Sequence, residues 1–147
     1  MNRILFILIL ILGSPAVFAD ARSLMEKDKS SCSAEASRAF NWVIHMSAWR
    51  KEYNQCLKAH LRNLQPRYLS ASTELLRLEH ECDPMLLGND APVEISLLGI
   101  QIVTQLTDRE MEKQVTSSNI ESTLELYYDR TLEAQRRVQR LRQIKNR

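Results

Sequence analysis

The sequence predicts an all-α fold, a bundle of about four helices with a long C-terminal amphipathic helix, behind a cleaved signal peptide. Three observations carry this. Apolar side chains recur at alternating steps of three and four over most of the chain. Only 3 Gly and 4 Pro leave little material for turns, so the elements are long. One run alone, Val93-Glu94-Ile95-Ser96-Leu97, alternates like a strand, and a lone strand has nothing to pair with. A hydrophobic content of 44% excludes a disordered chain.

The first nineteen residues read as an export signal. Arg3 is a positive n-region, Ile4 to Leu12 an unbroken apolar h-region, Gly13 and Pro15 break its helix, and Val17-Phe18-Ala19 offers a cleavage site near Ala19. Nine apolar residues are too few to span a bilayer, which needs about 20. The first cysteine is Cys32, too late for a lipid-modified N-terminus. The expectation is a mature chain from Asp20, periplasmic or secreted. Residues 20–33 are polar and lack an apolar period, so they read as a flexible leader, with 34–147 as a single helical domain.

From Ser33, read as an N-cap, the positions Ala39, Trp42, Met46, Trp49, Tyr53, Cys56, His60 and Leu64 trace one stripe of a long helix. Phe40, Val43, Ile44, Leu57 and Leu61 widen it. Pro66 removes a backbone donor and is expected to end that helix. Tyr68, Ala71, Leu75, Leu78 and Cys82 form a second stripe, stopped by Asp83-Pro84. Gly88 to Pro92 is a loop, and Val93 to Leu106 fits either helix or strand by period, with helix favoured for want of a pairing partner. Thr107-x-x-Glu110 and Ser118-x-x-Glu121 match the capping box, and each predicts a helix start. After the second, Ile120, Leu124, Tyr127, Thr131, Ala134, Val138 and Leu141 repeat as heptads, in a coiled-coil rhythm.

Cys32, Cys56 and Cys82 allow one internal disulfide. If the chain turns back near Gln65, Cys56 and Cys82 are offset by about 12 Å along facing helices, beyond the reach of a disulfide. A mobile Cys32 reaches either partner; Cys32 with Cys82 is preferred and Cys32 with Cys56 is the alternative. The bond is read as a structural staple. Glu79-His80-Glu81-Cys82-Asp83 gathers metal-ligand types at no standard spacing, so neither metal nor cofactor is expected. A nucleophile in a sharp glycine turn and paired carboxylates on an apolar face are both lacking, so the chain does not read as an enzyme.

Two surfaces suggest binding. Trp42, Met46, Trp49 and Tyr53 form core or an apolar groove. After Glu133 there is no acid, and Arg136, Arg137, Arg140, Arg142, Lys145 and Arg147 crowd the last helix; with Tyr127 they form the expected partner surface. A formal net charge of +2 and the lack of aromatics among these arginines argue against nucleic acid. The expectation is a non-enzymatic exported protein with a protein partner, an accessory or adaptor of an envelope or secretion assembly. Alternatives are an inhibitor or immunity protein of one enzyme and a holdase-like periplasmic chaperone. Contact with a membrane surface through the basic helix, and a dimer through the heptad stripe, fit the same pattern.

Overall fold

A computed structural model describes residues 20–81 and 106–147. The expected signal segment, Cys82 and the ambiguous run before Leu106 lie outside the described residues. Among those described there are four helices and no strand: α1 Ala21–Ala39, α2 Met46–Glu81, α3 Asp108–Gln114 and α4 Ile120–Lys145. The fold is the all-α bundle that the periodicity predicts.

The helical body begins at Ala21, which corrects the flexible leader over 20–33 and the domain start at residue 34. Asp20 caps α1 by accepting from the Ser23 amide at 2.6 Å. The buried positions are Ala21, Met25, Asp28, Cys32 and Ala36, steps of four, three, four and four. Apart from Met25 that face is small or polar, so hydropathy gives it little signal, yet it is well held. Tyr128 donates to Asp28 at 2.5 Å, and Cys32 is bonded to Cys56. Ser33 lies inside this helix and is not an N-cap.

The long helix expected from Ser33 to Gln65 is two helices. Residues 40–45 turn the chain, and α2 starts at Met46. Pro66 does not break α2, contrary to the expectation. A proline in a helix interior costs roughly 3 kcal/mol. It is tolerated here because Pro66 faces solvent, while Leu57, Leu61, Leu64 and Tyr68 before or beside it and Leu75 and Leu78 after it share one buried face. The proline carries no turn, so α2 is a single rod of 36 residues, about 54 Å long.

The capping box at Thr107 forms as read: Thr107 Oγ1 accepts from the Glu110 amide at 3.2 Å and Glu110 Oε2 accepts from the Thr107 amide at 2.9 Å. The box at Ser118 does not form. The N-cap of α4 is Asn119, without a side-chain cap bond. Its amide instead closes the turn behind α3, accepting from the Thr116 amide and donating to the Gln114 carbonyl, both at 2.8 Å. Ser118 Oγ is engaged with Thr116 Oγ1.

All seven heptad positions of α4 are buried. They pack along α2, and the two long helices run parallel: Tyr53 meets Glu121, Tyr68 meets Tyr127, Glu79 meets Arg137 and Glu81 meets Lys145, so contacts advance together along both. Helix α1 is antiparallel to α2, with Cys32 by Cys56, Asp28 by His60 and Ser37 by Trp49. Helix α3 lies across the first half of α2, tied by Lys58 to Glu112 and Arg62 to Asp108. Two core clusters result. One joins all four helices around Met25, Cys32, Leu57, Leu61, Met111, Ile120 and Leu124; the other holds Leu75, Leu78, Ala134, Val138 and Leu141 between α2 and α4.

Candidate functional site at the hairpin tip

The turn between α1 and α2 is an exposed apolar tip. Helix α1 ends where the Phe40 amide donates to the Ala36 carbonyl at 2.9 Å. Asn41 then builds a local turn: its Oδ1 accepts from the Val43 amide at 3.0 Å and its carbonyl from the His45 amide at 2.7 Å. This turn swings Trp42, Val43 and Ile44 outward, at 59%, 71% and 72% exposure, with Met46 at 49% beside them. Isolated exposed apolar residues are ordinary, but four within five positions form a patch.

The tip is braced from below. Trp49 Nε1 donates to Ser37 Oγ at 3.0 Å, tying the two helices at the base of the turn. The Trp49 ring stacks on Tyr53 with centroids 5.2 Å apart, and Phe40 meets His45 edge-on. Tyr53 donates to Glu121 Oε1 at 3.0 Å, and Lys29 bridges the other Glu121 oxygen at 3.2 Å. Burial, then the Glu121 carboxylate, raises the Tyr53 hydroxyl above its ordinary pKa, so it stays a donor. Two turns beyond Trp49 along α2, the Cys32–Cys56 disulfide locks the hairpin, with Cα atoms 5.5 Å apart.

Cations flank the patch: Arg38 ends α1, Arg50 reaches Met46 Sδ at 3.8 Å, and Lys51 follows. From Met46 a groove of about 700 Å³ runs between α2 and the α3–α4 turn, lined by Arg50, Lys51, Lys58, Glu112 and Val115 among others. The arrangement offers apolar anchors beside a basic channel.

The chain matches no protein-family model, no curated protein and no solved structure.

Several sequence expectations are redistributed. Trp42 and Met46 are exposed and not core, with Met46 lining the groove along α2; Trp49 and Tyr53 of that stripe are half-buried and stack on each other. The stripe failed because Asn41 starts a turn where the period assumes a helix. Tyr127 leaves the partner surface: it is buried and packs edge-on to Tyr68 with centroids 5.7 Å apart. Half of the basic residues are paired with carboxylates of α2, Arg137 in a part-buried position and Arg142 and Lys145 at the exposed surface. Arg137 meets the buried Glu79 at 2.7 Å, Arg142 meets Glu74 at 3.0 Å, and Lys145 meets Glu81 at 2.7 Å. Arg136, Arg140 and Arg147 are exposed.

The preferred Cys32–Cys82 pairing gives way to the alternative, Cys32 with Cys56. Because α2 passes Pro66 unbroken, Glu81 stands about 38 Å of helix rise beyond Cys56, and the hairpin that would return Cys82 to this end does not exist. One constellation escaped sequence reasoning altogether: Cys32, Cys56 and His60 each present a ligand atom within 4.8 Å of the others. Its signal is Asp28-x-x-x-Cys32 facing Cys56-x-x-x-His60, two i, i+4 pairs on antiparallel helices.

Proposed function

We propose that this chain is an exported, non-enzymatic helical protein that binds one protein partner through the tip formed by Trp42, Val43, Ile44 and Met46, as an accessory or adaptor of an envelope or secretion assembly. The observation that carries the reading is an apolar turn held in place by a cross-helix hydrogen bond, stacked rings and a disulfide. A tip ordered in advance loses little entropy on binding, so its apolar area converts to affinity efficiently. Burying three such side chains supplies several kcal/mol, at about 1.5–3 kcal/mol each. A rigid knob suits a shaped protein pocket better than a fluid lipid surface, and Arg38, Arg50 and Lys51 favour a pocket with an acidic rim. Export is supported by the disulfide and by the n-region and h-region of the first nineteen residues. Among the described residues no helix is long and apolar enough to cross a membrane.

Crosslinking from a photoreactive side chain at Val43 in the native compartment, followed by mass spectrometry, tests the reading. One stoichiometric partner, lost in a Trp42→Ser/Ile44→Ser variant with unchanged helix content, is the expected result. An enzyme as that partner would make this an inhibitor or immunity protein. A scatter of unrelated clients would replace the proposal with a holdase, lipid alone with a membrane-surface role, and a partner retained by the double variant would remove the tip from the binding site.

A further inference from the structure

We propose that, once its disulfide is reduced, the α1–α2 hairpin binds a single Zn²⁺ ion through Cys32, Cys56 and His60, with Asp28 positioning the imidazole. Two antiparallel helices place these residues at four corners, Asp28 and Cys32 one turn apart on α1, His60 and Cys56 one turn apart on α2. The sulfurs, bonded to each other in the oxidised form, and one imidazole nitrogen lie within 4.8 Å of one another, so once the bond is broken the two sulfurs need only part by side-chain rotation for a thiolate-nitrogen set to form. His60 Nδ1 stands 3.3 Å from Asp28 Oδ1, and the other Asp28 oxygen accepts from Tyr128. An Nδ1 proton directed at Asp28 would leave Nε2 to ligate, the carboxylate–histidine arrangement usual behind zinc. Asp28 is buried, so an apolar residue would serve packing better; a held imidazole gives it a role. Glu35, exposed at 3.5 Å from Cys56 Sγ, adds a negative charge at the open side.

Reduction requires a dithiol or an equivalent two-electron reductant. Cys56 is part-exposed and Cys32 fully buried, so an incoming thiolate attacks Cys56 Sγ and displaces the Cys32 thiolate. The second thiol of the reductant then attacks the mixed disulfide and leaves as its own disulfide, freeing Cys56. The sum is one disulfide reduced and one dithiol oxidised. On Zn²⁺ binding the two cysteine thiols release two protons to solvent, and two thiolates with a neutral imidazole balance the charge of the ion.

The test uses the chain from Asp20 to Arg147 with Cys82→Ser, so that the third cysteine cannot contribute. Oxidised and phosphine-reduced samples are titrated with Co²⁺ and then displaced by Zn²⁺, reading absorption and circular dichroism. The reduced protein is expected to bind one Co²⁺ with thiolate charge-transfer and intense tetrahedral ligand-field bands, and the oxidised protein to show neither. His60→Ala should remove the tetrahedral signature, and Asp28→Asn should weaken binding by about 10- to 100-fold with the bands retained. If reduction loosens the helices, Zn²⁺ should restore the helical signal. Equal binding by both redox forms, affinity and bands unchanged in His60→Ala, or a reduced chain that Zn²⁺ neither occupies nor refolds would each overturn the assignment.

Discussion

Removing the Cys32–Cys56 crosslink, by Cys32→Ala with Cys56→Ala in a Cys82→Ser background, tests whether the hairpin is closed as described. The bond spans a sequence separation of 24. Closing a loop of that size removes about 12 cal/mol/K from the unfolded chain, which is about 3.5 kcal/mol of stability at 25 °C. Alanine at the fully buried Cys32 adds a small packing loss in the same direction. For a domain of this size the change corresponds to a midpoint drop of roughly 10–15 °C. Urea unfolding followed by circular dichroism, with disulfide mapping of the parent by non-reducing digestion, is the assay. The slope against urea should also steepen, because an uncrosslinked unfolded chain exposes more surface. A loss below about 1 kcal/mol with an unchanged slope, or digestion that finds Cys32 joined to Cys82, would refute the argument.

Other outcomes follow from the packing and charges. Leu124→Asp places a charge at a fully buried position of the first core and should unfold the chain; a folded variant that merely loses self-association would mean that the stripe is an interface. Arg137→Met leaves the buried Glu79 carboxylate without its 2.7 Å partner and should cost about 3–5 kcal/mol in urea titration, whereas replacing both by Met should be near neutral. Acid should weaken the far end of the α2–α4 pair. Arg77 and then Arg142 hold Glu74 at about 2, below its ordinary 4.5, while Lys145 and Arg77 lower Glu81 and the Thr107 cap lowers Glu110. These depressed carboxylates contribute stability that is present above pH 4.5 and lost as pH falls toward 2. The groups are exposed, so added salt should shrink the effect, and a thermal midpoint flat across that window would contradict it.

Legibility in the sequence followed side-chain chemistry. The buried face of α4 is readable to the residue because it repeats strictly, although its cap is not, and the Thr107 box is readable because two polar residues at fixed spacing have one common use. Helix α1 is not readable, since Ala, Asp and Cys make up its inner face apart from Met25, and burial there depends on a disulfide and a hydrogen bond from residue 128. Trp42, Val43 and Ile44 misled in the opposite sense. Their spacing fits a helical stripe, and only the Asn41 side chain, which offers the backbone another hydrogen bond, turns them outward. The helix-breaking cost of Pro66 is local and visible in the sequence, while the parallel partner helix that spans it is not. The Cys32, Cys56 and His60 set needs two helices to be paired in register before its spacing has meaning.

The parallel run of α2 and α4 has an electrical consequence. Each helix ends in a partial negative pole of about half a charge, and antiparallel neighbours cancel such poles while parallel ones set them side by side. The carbonyl end of α4 lies beside the second half of α2, and there Arg142 and Lys145 close the last turn of α4 and reach across to Glu74 and Glu81 on α2. The cations near the end of α4 thus answer a demand created by topology: where parallel helices do not cancel each other's dipoles, side chains neutralise the pole of α4 and the carboxylates of α2 beside it.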